Sequence, residues 1–185
     1  MEPQIDRENR IWLAFKGGED AAFDRLYDAL FDLLFRYGCK LTDDRELVKD
    51  ALQGLFIRVW NRRSQISITT SVRHYLLISL KRDILHARKR QDAAGKRALR
   101  VVSKQEPYTP SPEADIVLRE HQDQRVAKLQ LALRRLSRRE REAVFLRYYA
   151  DMSHEEAASI MQLQPNSLYN LISRAVGKLR KLADR

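Results

Sequence analysis

The sequence predicts an all-α protein built as two small helical domains joined by a flexible linker. Three observations predict this. Apolar residues recur every three or four positions through most of the 185 residues, and period-two alternation is lacking. Glycine is scarce, at six residues. Three of the five prolines, Pro107, Pro110 and Pro112, fall together where the helical period is lost. The length suits one ordinary domain or two small ones, and the proline cluster favours two: residues 1–90, a linker over 91–114, and residues 115–185. With 44% hydrophobic and 32% charged residues, the chain can bury a core.

The first domain reads as four helices. One over residues 7–15 stops at Gly17-Gly18. Asp20 is placed to cap the next, whose stripe is Phe23, Leu26, Tyr27, Leu30, Leu33, Leu34 and Tyr37. Asp43 with Glu46 three residues on predicts a capping box opening a helix to about residue 62, with Leu47, Ala51, Leu52, Leu55, Phe56, Val59 and Trp60 apolar. The polar residues 64–71 read as a loop, and a helix over 72–90 comes after it.

The second domain opens with a long helix over 115–136. Ser137 then precedes Glu140 by three positions, as Ser153 precedes Glu156, and each pair predicts a capping box. The first opens a helix over 138–149, the second a short helix over 155–161. Pro165 suits the first turn of a last helix, reaching about residue 182. A short helix, the turn Gln162-Leu163-Gln164 and a longer helix make a helix-turn-helix. Ala157 and Ala158 are small where the helices must approach, and Ile160, Leu163, Leu168 and Leu171 or Ile172 can form the core between them. Gln162 stands where the backbone often turns left-handed, at a cost of ~1 kcal/mol for a residue other than glycine. The last helix offers Asn166, Ser167, Tyr169, Asn170, Ser173 and Arg174 at its start, with Lys178, Arg180 and Lys181 beyond. Asn and Arg make bidentate contacts to base edges, and Tyr and Ser hold phosphates.

The net charge of +10 is uneven. Residues 1–57 carry 8 basic and 12 acidic groups, whereas residues 58–104 carry 13 and 2. Residues 105–136 balance, and 137–185 carry 9 and 6. Such a basic block suits a polyanion, nucleic acid before an anionic membrane surface. No run of 18 apolar residues exists, which excludes a membrane span. The acidic, polar start is wrong for a secretory signal, and the single Cys39 excludes an internal disulfide; a cytoplasmic protein is expected. His74, His86, His121 and His154 lie far apart, with no metal-binding, phosphate-loop or nucleophile motif, so no enzyme, metal or cofactor is expected.

The first domain resembles region 2 of the sigma-70 family of RNA polymerase specificity subunits. The resemblance is carried by Ala22-Phe23-Asp24-Arg25-Leu26-Tyr27, by Asp50-Ala51-Leu52-Gln53-Gly54-Leu55-Phe56-Ile57-Arg58-Val59-Trp60, and by Tyr75-Leu76, Ser79-Leu80-Lys81-Arg82 and Arg88-Lys89-Arg90. The second is similar to sigma region 4 through Leu136-Ser137, Glu140-Arg141-Glu142, Leu146-Arg147-Tyr148-Tyr149, Ser173-Arg174-Ala175 and Lys178-Leu179-Arg180. Two such regions with no region 3 between them resemble the extracytoplasmic-function group. Two positions depart from the pattern: Gly54 replaces an acidic residue, and Arg82 a common asparagine.

The resemblance implies a transcription initiation factor that binds core RNA polymerase and recognises minus-ten and minus-thirty-five promoter elements. Asp50, Gln53, Phe56 and Arg58 would contact polymerase, although Phe56 also fits the core stripe. Arg62, Arg63, Lys81, Arg82, Arg88, Lys89 and Arg90 would face the minus-ten DNA, with the 64–71 loop as a wall for an extruded base. Asn166, Ser167, Tyr169, Asn170, Ser173, Arg174, Lys178 and Lys181 would read the minus-thirty-five element. An anti-sigma factor is a further partner common in that group. The alternative is a stand-alone helix-turn-helix regulator.

Overall fold

The computed structural model describes residues 4–67, 71–95 and 132–183, and among these all regular structure is helical. The chain divides into two compact units, Met1–Ala98 and Leu99–Arg185.

The first unit contains α1 (Gln4–Lys16), α2 (Ala21–Leu41), α3 (Arg45–Asn61) and α4 (Val72–Gly95). Gly18 ends α1 in a left-handed conformation, φ 100°. Its N–H donates to Phe15 O at 3.1 Å while Glu19 N–H reaches Ala14 O at 3.1 Å. This pair of bonds satisfies the last carbonyls of α1, and only glycine enters that backbone region without strain. Asp20 does not act as the expected side-chain cap: its backbone is already helical, and its carboxylate makes no bond to the first turn. The α3 cap is Asp44 rather than Asp43. Asp44 lies in extended backbone and its Oδ1 accepts from Leu47 N–H at 3.0 Å, while Thr42 Oγ1 accepts from Asp44 N–H at 3.3 Å.

The α4 helix runs to Gly95, so the first residues assigned to the linker are helical. The rest of that segment, and most of the helix expected over 115–136, lie outside the described residues.

Residues three or four apart on α2 face inward, with Ala22, Leu26, Leu30, Leu34, Tyr37, Gly38 and Leu41 buried. They meet Leu52, Leu55, Phe56 and Val59 of α3 and Leu76, Leu77, Leu80 and Ile84 of α4. Each such side chain contributes about 1.5–3 kcal/mol by leaving water. One end of the bundle is aromatic: Phe15, Phe23 and Trp60 sit with ring centroids 4.9–5.6 Å apart, and Phe56 lies edge-on to Phe23 at 6.0 Å.

Polar contacts tie α1 to the rest of the unit. Glu8 and Arg73 form a buried, two-pronged ion pair, with Arg73 Nε donating to Glu8 Oε2 at 2.9 Å. Asn9 Oδ1 accepts from Val72 N–H at 2.9 Å and so caps α4 from another helix. Lys16 Nζ donates to Ile66 O at 3.0 Å.

Gly38 sits where the three long helices converge. A Cβ there would meet Val48 Cγ1 at 2.5 Å and Ile84 Cδ1 at 3.3 Å, so the glycine is required by space rather than by backbone conformation. Both tryptophans of the chain, Trp12 and Trp60, lie in this unit, so their fluorescence reports on it alone. Gly38→Ala should lower the stability of this unit by about 1–3 kcal/mol, the usual cost of overpacking, read as an earlier urea midpoint of tryptophan emission.

Candidate functional site

The second unit contains α5 (Arg138–Val144), a π-helical turn over Phe145–Tyr149, α6 (His154–Met161) and α7 (Pro165–Ala183). Both capping boxes form. Ser137 Oγ accepts from Glu140 N–H at 3.3 Å and Glu140 Oε2 accepts from Ser137 N–H at 2.8 Å. Ser153 and Glu156 repeat the exchange at 3.1 and 2.9 Å. The single α-helix expected over 138–149 is instead broken by the wider π turn, in which Ala150 N–H bonds Phe145 O at 2.9 Å. Phe145 and Leu146 stay buried while Tyr148 and Tyr149 are exposed; such turns recur at functional sites.

Gln162 adopts φ 54°, ψ 48°, the left-handed conformation expected for the turn. Its N–H donates to Ser159 O at 3.1 Å, and Leu163 N–H donates to Ala158 O at 2.9 Å, closing α6 with the same pair of hydrogen bonds that closes α1. Ala157, Ala158 and Ile160 of α6 are buried, as are Leu168, Ile172 and Ala175 of α7. Ile172, rather than Leu171, is therefore the fully inward member of the pair. The other side of α7 leaves Asn166, Ser167, Tyr169, Asn170, Ser173 and Arg174 exposed, followed by Lys181. Arg174 Nε donates to Asn170 O at 3.3 Å, laying the guanidinium along that face. Tyr169 is 64% exposed, its ring 6.2 Å from that of His154.

Lys178 has an internal use. Its Nζ donates to Glu140 Oε1 at 2.7 Å, joining α7 to the cap of α5. The Lys178 ammonium and the Ser137 donors hold the Glu140 carboxyl below the usual carboxylate range, against the opposing effect of burial.

In the first unit, Asp50 and Gln53 are exposed on α3. Phe56 is not available as a polymerase contact: it is 4% exposed and packs between Phe23 and Tyr27. Arg58 reaches across to Asp83 of α4 in an ion pair. A residue missed by the sequence reading is Ile57, 53% exposed. It stands four residues after Gln53 and seven after Asp50, so helical spacing from those two could have placed it on the outer face. A groove of about 830 Å³ runs between α3 and α4, with Asp50, Gly54 and Arg58 on one wall and Asp83, His86 and Arg90 on the other.

Of the seven basic groups expected on DNA, Arg62, Arg82, Lys89 and Arg90 are exposed. Lys81 is half-buried. Arg63 lies over the rings of Phe15 and Trp60, 5.6 and 5.3 Å from their centroids, and 3.9 Å from Asp20. Arg88 Nη1 donates to Leu41 O at 3.2 Å and closes the end of α2. Arg63 and Arg88 are thus engaged by the fold, because each finds an internal acceptor or ring within reach. Cys39 is half-buried and desolvation pushes its thiol pKa up, which leaves it a poor nucleophile. Among the described residues no helix is long and apolar enough to cross a membrane.

A short helix, a left-handed turn and a longer helix with a polar outer face form a helix-turn-helix unit. Residues 127–179, which end within α7, match the family described as Sigma-70, region 4. No curated protein sequence matches the chain. Among solved structures, the sigma factor RpoE in complex with the anti-sigma factor NepR from Bartonella quintana is similar at 18% identity, over 88% of this chain and 96% of that one, TM-score 0.65. CnrH in complex with the cytosolic domain of CnrY is similar at 18% identity, over 96% and 97% of the two chains, TM-score 0.57. The chain has the fold of these proteins.

Gln162→Gly should remove the left-handed strain and slow hydrogen exchange of the α6 and α7 amides by about fivefold, the equivalent of ~1 kcal/mol. The Glu140 contacts carry a pH signature. Because its folded pKa lies below the unfolded value, the stabilisation is complete above the ordinary carboxylate range and is lost as pH falls through the folded pKa. Glu140→Gln should flatten the acid limb of a circular-dichroism stability profile of the full chain.

Proposed function

We propose that this protein is a transcription initiation factor that binds core RNA polymerase and directs it to specific promoters. The observation that carries the reading is the exposed Asn166–Ser167–Tyr169–Asn170–Ser173–Arg174 face of α7, set by the left-handed Gln162 turn inside the sigma-70 region 4 segment. In this reading the face enters the major groove of the minus-thirty-five element, and Lys181 neutralises phosphate.

The first unit then supplies the other contacts. The outer face of α3, with Asp50, Gln53 and Ile57, meets the polymerase: a carboxylate and an amide beside one exposed apolar side chain suit a protein surface. Arg62, Arg82, Lys89 and Arg90 hold the phosphates of the minus-ten element. The functional division is 1–90 for polymerase and minus-ten DNA, 91–114 as the connection and 115–185 for minus-thirty-five DNA. The protein acts without catalytic chemistry of its own, in the cytoplasm. The partners named for the two similar structures, NepR and the cytosolic domain of CnrY, support a protein inhibitor of the anti-sigma kind here too.

Run-off transcription with purified core polymerase tests the reading: transcripts should start at a defined promoter only when the protein is added. Stable binding of a dimer to promoter duplex without polymerase would favour the stand-alone regulator instead. Within the reading head, Asn170→Ala and Arg174→Ala should each relax preference at one or two base pairs, losing about 1–3 kcal/mol of discrimination. Lys181→Met should weaken binding evenly across sequences and reduce the salt slope by about one. A panel of single-base promoter variants, titrated at several salt concentrations, separates the two classes.

A further inference from the structure

The ion pair between Arg58 and Asp83 joins α3 to α4 at the groove between them. It links residues 25 apart in sequence, and the Asp83 side chain is only 23% exposed against 44% for Arg58. Arg58 sits one helical turn after Gly54, and a Cβ built on Gly54 would lie 3.3 Å from Arg58 Nη1. The guanidinium therefore lies back over the bare backbone at position 54 on its way to Asp83. Glycine is unfavourable in a helix interior, and nothing in the α3 backbone demands it, since Gly54 does not take a positive φ. What the missing side chain leaves is room for Arg58.

We infer that Gly54, Arg58 and Asp83 form a strut that holds the polymerase-facing helix α3 in register with the promoter-facing helix α4, with Arg58 a positioning residue rather than a polymerase contact. The inference rests on the function proposed above and assigns a different job to one residue expected at the polymerase surface. An acidic side chain at position 54 would stand four residues before Arg58, the favoured spacing for a helical ion pair. It would draw the guanidinium along α3 and away from α4. Glycine at 54 leaves the guanidinium to Asp83, which directly follows the exposed Arg82. Fixing Asp83 against α3 fixes the turn of α4 that carries Arg82.

The test uses the full chain with core polymerase and two readouts: the dissociation constant for core, and permanganate reactivity of promoter thymines in the open complex. Arg58→Gln and Asp83→Asn should each leave core affinity within about twofold and reduce opening by about three- to fivefold, the range open to a partly exposed ion pair. The double variant should be no worse than either single one, the mark of a shared interaction. Gly54→Glu should reproduce the loss of opening, and the reversed pair Arg58→Asp with Asp83→Arg should regain most of it. Tryptophan emission of each variant confirms that the first unit is folded. A drop in core affinity confined to Arg58→Gln overturns the strut and makes Arg58 a direct contact. Unchanged opening in both single variants also overturns it. Failure of the unaltered protein to bind core at all would instead remove the function on which the strut rests.

Discussion

The first unit depends on the aromatic cluster at one end of its bundle. Phe15 from α1, Phe23 from α2, and Phe56 and Trp60 from α3 interlock there, with rings tilted or edge-on to one another. Such packing specifies rotation as well as distance, because quadrupoles favour particular ring angles. Once Phe56 and Trp60 are committed inward, helical geometry turns Asp50, Gln53 and Ile57 outward. The cluster also recruits Arg63, whose guanidinium spreads over Phe15 and Trp60. One packing decision thereby shapes the outer face of α3 and removes a cation from the nearby surface.

The second unit solves its smaller problem with backbone chemistry. Its helices α5 and α6 are short, and short helices need their ends satisfied before packing can hold them. Two reciprocal Ser–Glu boxes and one left-handed Gln do this. Glu140 serves twice, accepting from the Ser137 backbone with one oxygen and from Lys178 with the other. A local cap thus becomes a tertiary joint between α5 and α7. The outer face of α7 consequently stands on hydrogen-bonded helix ends as well as on the buried Leu168, Ile172 and Ala175 beneath it.

Legibility in the sequence depends on the range of the interaction. The Ser-x-x-Glu boxes, Pro165 at the start of α7 and the strain at Gln162 are local, so a few neighbouring residues reveal them. The α3 cap lies one residue beyond its expected place because Asp43 and Asp44 are adjacent, and it is Asp44 whose N–H is held by the Thr42 hydroxyl. The π turn is hidden because an apolar period records which residues are buried, not which carbonyl each amide meets. The end of α4 is hidden for a related reason: Gln91-Asp92-Ala93-Ala94 permits a helix without any apolar stripe. On the surface, Asn170 and Asp50 are exposed where helical spacing puts them. Arg58, Arg63, Arg88 and Lys178 differ, because a long flexible cation chooses its partner in three dimensions.

Those four cations change what the charge pattern means. A block of 13 basic and 2 acidic residues reads as one continuous polyanion surface, yet Arg58, Arg63 and Arg88 within it are turned to an acid, two rings and a carbonyl of the same unit. Burying a cation's donors on internal partners reduces the positive field it offers to a phosphate, since the same donors cannot satisfy both. Among the described residues of the block, Arg62, Arg82, Lys89 and Arg90 remain exposed. Two of them, Lys89 and Arg90, line the α3–α4 groove that also holds Asp50 and Asp83. The boundary between acidic and basic surface therefore runs along this groove rather than between separate parts of the chain. In the proposed function, a polyanion would be repelled from the α3 side of the groove, with Asp44, Glu46 and Asp50, and drawn to the α4 side, with Lys89 and Arg90.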